Sequence, residues 1–220
     1  MTEDPALYYP HRAPEYEEVY AKPERQDDLA VLKTKIPELL AGRHVLELAC
    51  GTGWWTQWIS PAAASVLATD ASPEMLVQAQ AKTLPPGRVA FRWLDAYNLG
   101  SVASEIDALF AGFFWSHVPR ERLAQYLTGL HRALPPGARF VFADNRYVPG
   151  SSIPISREDA QGNTYQVRTL RNGTVYEIVK NFPSAEELRR ELEAIGRNVV
   201  VLELPYFWLA WGETHSASPA

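Results

Sequence analysis

Residues 45–56 read Val-Leu-Glu-Leu-Ala-Cys-Gly-Thr-Gly-Trp-Trp-Thr. The run His44–Ala49 is short and apolar, as a buried strand is, and it ends in small residues. Gly51-x-Gly53 follows, and a helix-like stretch begins at once. Glycines here permit a tight turn and let backbone N–H groups come close to a ligand. The same pair also fits a plain strand-to-helix turn, so the neighbouring segments decide.

Downstream, Ala64–Thr69 is a second apolar run, Val89–Leu94 a third, Ile106–Phe114 a fourth and Arg139–Ala143 a fifth. Between the second and third, Ser72-Pro73-Glu74 reads as N-cap, first-turn proline and first-turn acid of a helix reaching about Lys82. Residues 119–133 form an amphipathic helix stopped by Pro135-Pro136-Gly137. Strands alternating with helices predict βαβ units and a parallel sheet covered on both faces. Upstream, 14–20 and 23–41 read as helices. Leu29, Leu32, Ile36, Leu39 and Leu40 recur at helical spacing, and Pro37 is expected to kink or split the second helix. After residue 150, Tyr165–Leu170 and Thr174–Lys180 flank Arg171-Asn172-Gly173, a hairpin signal. Ser184 with Glu187 predicts a capping box for a helix to Ile195, and Val199–Leu204 and Tyr206–Trp211 read as closing strands. Residues 212–220 read as a frayed tail.

Asp70 closes the second run, 23 residues after Glu47. An acid there can accept hydrogen bonds from both hydroxyls of an adenosine ribose. A dinucleotide fingerprint would carry a third small residue where this chain has Thr56, and Trp54 and Trp55 crowd the place where a pyrophosphate would lie. The lysine-containing glycine loop that cradles nucleotide phosphates is absent from the sequence. A nucleoside without phosphates fits better.

The whole composition narrows the partners. Of 220 residues, 46% are apolar and 21% charged, which excludes a collagen, a coiled coil or a mostly disordered chain. The net charge of −5, without a basic block, argues against a nucleic-acid backbone as partner. Cys50 is the sole cysteine, so an internal disulfide framework and a finger-type zinc site are excluded, and a reducing compartment is expected. The start carries acids and prolines where a signal peptide carries basic and then apolar residues, and no apolar run approaches a membrane span. The expectation is a cytoplasmic protein without metal, a monomer or homodimer, in which the glycosylation sequon at Asn172 is incidental.

Glu-Leu-Ala-Cys-Gly-Thr-Gly at 47–53, followed by an acid at the end of the second strand, resembles the class I S-adenosylmethionine-dependent methyltransferases. Asp95-Ala96 resembles that family's adenine-contacting turn. Gly112–Val118 resembles its methyl-facing segment, and Leu134-Pro135-Pro136-Gly137 the turn before its fifth strand. The resemblance runs from about Tyr8 to Trp211. It implies a doubly wound, seven-stranded, mostly parallel α/β sheet in one domain, with a β-hairpin insertion after strand five. The expected parts are a helical lid over 1–41, a cofactor half over 42–150, a substrate-side hairpin and closing strands over 151–211, and the tail. It also implies S-adenosylmethionine as cofactor. The cofactor would meet Tyr9 and Tyr16 of the lid; Glu47, Ala49, Gly51, Gly53 and Trp55 of the glycine segment; Asp70, Ala71 and Met75; Asp95 and Ala96; and Gly112 and Phe113.

For the acceptor, the segment from Val167 to Leu188 together with Phe114–Pro119 is most similar to small natural-product O-methyltransferases, phosphonate-directed ones among them. The implied substrate residues are Tyr8, Trp115, His117, Asn145, Arg168 and Lys180. Across the hairpin Arg168 and Lys180 are near neighbours that can share a face, and two cations on one face make a site for a carboxylate or phosphonate. His117 is the candidate general base if the acceptor must lose a proton, and a helix-capping or packing histidine otherwise; Asp144 is a weaker candidate. The aromatic residues Tyr8, Tyr9, Tyr16, Trp54, Trp55 and Trp115 suit a sulfonium cation and equally suit a core. Two other functions compete: a NAD-type nucleotide-binding oxidoreductase, and a methyltransferase acting on a macromolecule.

Overall fold

A computed structural model describes residues 8–100 and 105–215. Its strands are β1 (His44–Leu48), β2 (Ser65–Asp70), β3 (Val89–Trp93), β4 (Ala108–Gly112), β5 (Arg139–Asn145), β6 (Arg157–Glu158), β7 (Thr164–Thr169), β8 (Val175–Val179), β9 (Gly196–Glu203) and β10 (Phe207–Thr214). Seven of them form one sheet in the order β3-β2-β1-β4-β5-β10-β9. The first five run parallel, and β10 is antiparallel to both β5 and β9. This is the doubly wound arrangement expected from the alternating pattern.

The helices are α1 (Tyr8–Arg12), α2 (Gln26–Leu40), α3 (Thr56–Ile59), α4 (Pro73–Gln80), α5 (Arg120–Ala133) and α6 (Ala185–Glu193). Successive residues of a strand face opposite ways, so the central strands feed two cores. Leu46, Leu48, Leu109 and Phe142 meet α5 and α6 on one side. Val45, Phe110, Val141 and Ala143 meet α2 on the other. Burial on both faces is why these strands read as near-continuous apolar runs. Both predicted caps form. The Met75 N–H donates to Ser72 Oγ at 3.3 Å, and Ser184 and Glu187 make the reciprocal box at 3.1 and 2.8 Å.

Three expectations are corrected. Pro37 neither splits nor interrupts α2: the proline removes one backbone hydrogen bond, and the buried face of Leu29, Leu32, Ile36 and Leu40 holds the helix together across it. Leu29, Leu32, Ile36 and Leu40 of α2 are fully in the core, so α2 is not part of a lid. Among the described residues the covering part is Tyr8–Ala21, of which 13–21, read as helical over 14–20, is a 3-10 helix. The expected hairpin after strand five is present as β7–β8, and β6 adds a third strand to it in a separate sheet, β6-β7-β8. The tail does not begin at 212: β10 continues to Thr214, whose hydroxyl donates to the Pro135 carbonyl at 2.7 Å. Residues 1–7 of the expected lid and 216–220 of the tail lie outside the described residues.

Candidate active site

The strand order reverses between β1 and β4, and a ligand crevice is expected outside the carboxyl ends of strands at such a point. A cleft of about 390 Å³ opens there. Its walls come from the ends of four successive strands: Ala49 and Gly51 after β1, Asp70 and Ala71 after β2, Asp95 and Ala96 after β3, and Gly112 and Phe113 after β4.

Local backbone geometry builds it. Ala49, Gly51 and Gly53 all take positive φ, 50°, 56° and 73°, which folds the chain tightly around the strand end. The Gly51 N–H donates to Asp70 Oδ2 and the Ser72 N–H to Asp70 Oδ1, both at 2.8 Å. One carboxylate thus ties the glycine loop to the head of α4 and still borders the cleft. Burial raises the Asp70 carboxyl above its ordinary value, and the N–H donors oppose that rise. Met75, Leu94, Ala96 and Phe114 supply an apolar lining, and Tyr9 and Tyr16 close the cleft from the N-terminal segment. A carboxylate edge beside an apolar slot with aromatic rings at one end fits an adenosine joined to a sulfonium.

Three residues expected at the cofactor stand behind the cleft instead. Glu47 is 1% exposed and accepts the Thr56 hydroxyl at 2.7 Å; burial pushes its carboxyl up to about 8, so it is a neutral brace under the loop. Gly53 packs on α4, where a Cβ would lie 3.0 Å from that of Ala79. Trp55 is 4% exposed and stacks on Phe113, centroids 5.9 Å apart, acting as backing for a ring that does reach the cleft. Phe113 itself has φ 62°, uncommon for a non-glycine residue, and its N–H donates to the Ala143 carbonyl at 2.6 Å.

A second cavity of about 230 Å³ adjoins the first. Tyr9, Tyr16 and Phe113 line both, so the two spaces meet at an aromatic waist. The second cavity takes Tyr8, His117, Asn145, Arg168 and Lys180, as expected from the sequence. Arg168 pairs with Tyr176 across the β7–β8 ladder, and the Lys180 N–H continues it to the Thr164 carbonyl at 2.8 Å. Alternation therefore puts Arg168 and Lys180 on one face.

Trp115 does not line either cavity. The short 3-10 turn Trp115–His117 aims its ring inward against Phe142 and Trp208, centroids 5.3 and 5.9 Å away, so it is a core residue. Nor is Lys180 a free cation. Its ammonium lies 3.2 Å from Asp144 Oδ1 and also donates to Ser116 Oγ. Burial alone would raise the Asp144 carboxyl; Lys180 and the N–H donors of Ser116 and Asn145 overrule it and hold the carboxyl low. That makes Asp144 a poor proton acceptor. Burial, then the Lys180 ammonium, push His117 down to about 3. Its Nδ1 lies 2.9 Å from the Val179 carbonyl oxygen, so Nδ1 carries the hydrogen and Nε2 faces Lys180 Nζ at 3.4 Å.

Sequence reasoning missed Arg25, which is 4% exposed and bonds Asn145 Oδ1 and Ser151 Oγ at the rim of the second cavity. Inside a helix-like run it reads as a surface cation, and its partners lie 120 and 126 residues away.

Comparison with known proteins agrees with this geometry. Residues 45–137 match a methyltransferase domain family. The structure of DhpI in complex with SAH is 32% identical, with 94% of each chain covered and a TM-score of 0.72. The DhpI complex with SAM and HEP is 31% identical, again with 94% of each chain covered, with a TM-score of 0.75. A demethylmenaquinone methyltransferase of Lactiplantibacillus plantarum is 37% identical over 109 residues, 47% of this chain, and the chain spans only 45% of that relative's length. With a four-strand cleft bordered by the Asp70 carboxylate and a likeness to DhpI over 94% of its length, the chain belongs to the class I S-adenosylmethionine-dependent methyltransferases, which removes the oxidoreductase reading.

Proposed function

We propose that this protein transfers the methyl group of S-adenosylmethionine to a small anionic acceptor, a carboxylate or phosphonate, held in the second cavity. The observation that carries the reading is the shared waist: Tyr9, Tyr16 and Phe113 border both spaces, so a donor in one cavity and an acceptor in the other meet among three aromatic rings. When bound, the cofactor supplies a sulfonium-activated methyl carbon.

The chain's own residues do the rest. Asp70 accepts from the ribose hydroxyls, and the ring faces favour the sulfonium cation by about 0.5–2 kcal/mol per contact. Arg168 and Lys180 orient the acceptor. Alignment in a confined space is the main source of acceleration for an in-line displacement. An anionic oxygen needs no deprotonation, which suits a site whose one imidazole among the described lining residues, His117, is held neutral and hydrogen-bonded away. The DhpI complex with SAM and HEP gives precedent for two ligands on this fold. Cys50, buried and unpaired, suits a cytoplasmic setting, and no helix among the described residues is long and apolar enough to cross a membrane.

The test is methyl transfer to a panel of small carboxylates, phosphonates and neutral phenols by wild type and Arg168→Ala. The variant should lose about 1.5–3 kcal/mol in kcat/KM for anions, the range for hydrogen bonds to charged groups. Arg168→Lys should not restore it fully, since an ammonium lacks the planar fork. Equal transfer to phenols and anions by both proteins would reject the anionic acceptor and leave the methyltransferase standing.

A further inference from the structure

The charges around the second cavity exceed what one anionic group needs. Arg25, Lys22, Arg168 and Lys180 all line it. Of these four, only Lys180 has a carboxylate within ion-pair distance among the described residues. Glu18, the acid on the rim, is engaged by Arg171. Burying an unpaired guanidinium is costly unless something of opposite charge arrives.

Arg25 shows how the fold prepares for that arrival. Its Nε and one Nη donate to Ser151 Oγ at 3.1 and 3.0 Å, and the other Nη donates to Asn145 Oδ1 at 3.0 Å. The cation also lies over the rings of Tyr206 and Phe207, 5.5 and 5.6 Å from their centroids. Three of five N–H groups are therefore spent on neutral oxygens that fix the plane, and two remain. Lys22 donates to the Ser151 carbonyl beside it. Arg168, on the separate sheet, has one Nη on Gln166 Oε1 at 2.7 Å and a buried Nε without a partner. The loop bearing Ser151 is joined to that sheet by Gln166, whose amide donates to the Ile153 carbonyl. Two cationic groups on two different elements thus border one small space. Its volume, about 230 Å³, is that of roughly eight liquid waters.

We infer that Arg25, with Lys22, forms a second anion subsite, so that the acceptor is a compact molecule with two separate anionic groups: one held by Arg168 and Lys180 next to the methyl donor, the other held by Arg25. This rests on the anionic-acceptor reading above and narrows its substrate class to dicarboxylates and phosphonocarboxylates. The mutual influence of the cations agrees. Burial lowers all four cations; Arg168 adds to the lowering at Arg25, Lys22 and Lys180, while Glu24 opposes it at Arg25 and Lys22, and Asp144 opposes it at Lys180.

Calorimetry on the full chain saturated with S-adenosylhomocysteine tests it without turnover. Malonate, succinate and glutarate are titrated against propionate, butyrate and valerate. At least one dicarboxylate should bind about tenfold or more tighter than its monocarboxylate, and Arg25→Gln and Arg168→Gln should each erase that advantage. No advantage in the wild type, or an advantage that Arg25→Gln leaves intact, overturns the subsite. Should Arg25→Gln fail to fold, Lys22→Met, at a less buried neighbour, should cut the advantage at least threefold, and an unchanged ratio counts against the proposal. Methyl transfer to monocarboxylates with no dianion preference would sink this inference alone. Absence of both binding and transfer for every anion would sink the acceptor reading with it.

Discussion

Lys180 and Asp144 form an ion pair at 3.2 Å whose side chains are 6% and 0% exposed. Removing one partner of such a pair strands the other charge in the interior. Asp144→Ala should therefore cost about 3–5 kcal/mol in urea unfolding, whereas replacing both residues by apolar ones of similar volume should cost far less. Equal losses for the single and double variants would show that packing, not charge, is at stake.

His117 makes stability depend on acid. Its folded value of about 3 lies below the ordinary imidazole value, so between that value and about pH 6.5 the unfolded chain takes a proton that the folded chain does not. Stability should fall as pH drops through that window, by up to about 1.4 kcal/mol per pH unit from this group. His117→Asn keeps a donor for the Val179 carbonyl and should flatten the slope. Methyl transfer by the wild type should show no limb near pH 6.5; a rate that rises through that pH would restore His117 as the base.

Asp70 braces the glycine loop and, in the proposed function, also accepts from the ribose; substitution should separate the two. Asp70→Ala removes the proposed ribose acceptor and orphans the N–H groups of Gly51 and Ser72. Affinity for S-adenosylhomocysteine should drop by about 2–4 kcal/mol, and the melting temperature should fall as well. Asp70→Asn keeps one oxygen for the backbone, so its melting loss should be smaller while its affinity loss persists. Wild-type affinity in either variant would take Asp70 out of the ribose role.

Gly53→Ala should destabilise the protein twice over. Its φ of 73° costs a side-chain residue about 1–2 kcal/mol, and the new Cβ would lie 3.0 and 3.1 Å from Cβ and Cα of Ala79. Adding Ala79→Gly should recover only the part due to contact. Full recovery by the second change would mean that backbone strain there is negligible.

What could be read from the chain was whatever is local. The glycine loop lies in one strand-turn-helix unit, and the acid at the end of β2 with the Ser72 cap in the next, where neighbours in sequence are neighbours in space. The shared face of Arg168 and Lys180 followed from hairpin arithmetic for the same reason, but their register did not: Arg168 pairs with Tyr176 and Lys180 lies opposite Thr164. Direction was not legible. Trp55 and Trp115 have the residue type a cofactor site favours, yet each turns inward, because a ring's face is set by elements far along the chain such as β5 and β10. Arg25 stayed hidden for the same cause. The third strand, β6, has only two residues and leaves no periodic trace.

Tyr9 and Tyr16 are a partition with a ligand space on either side. With donor and acceptor bound as proposed, whatever presses on one side of that partition should alter the fit on the other, so occupancy of the two cavities should be linked. Linkage is symmetric: the factor by which donor changes acceptor affinity equals the factor by which acceptor changes donor affinity. The partition is itself moored at both flanks. Glu17 takes the Lys82 ammonium at 2.6 Å and the Thr52 hydroxyl at 2.7 Å, while Glu15 and Glu18 take Arg171 of the hairpin. The most exposed of these moorings, Arg171–Glu18, weakens with ionic strength. Salt should therefore loosen the cooperativity between the two ligands sooner than it loosens either ligand alone.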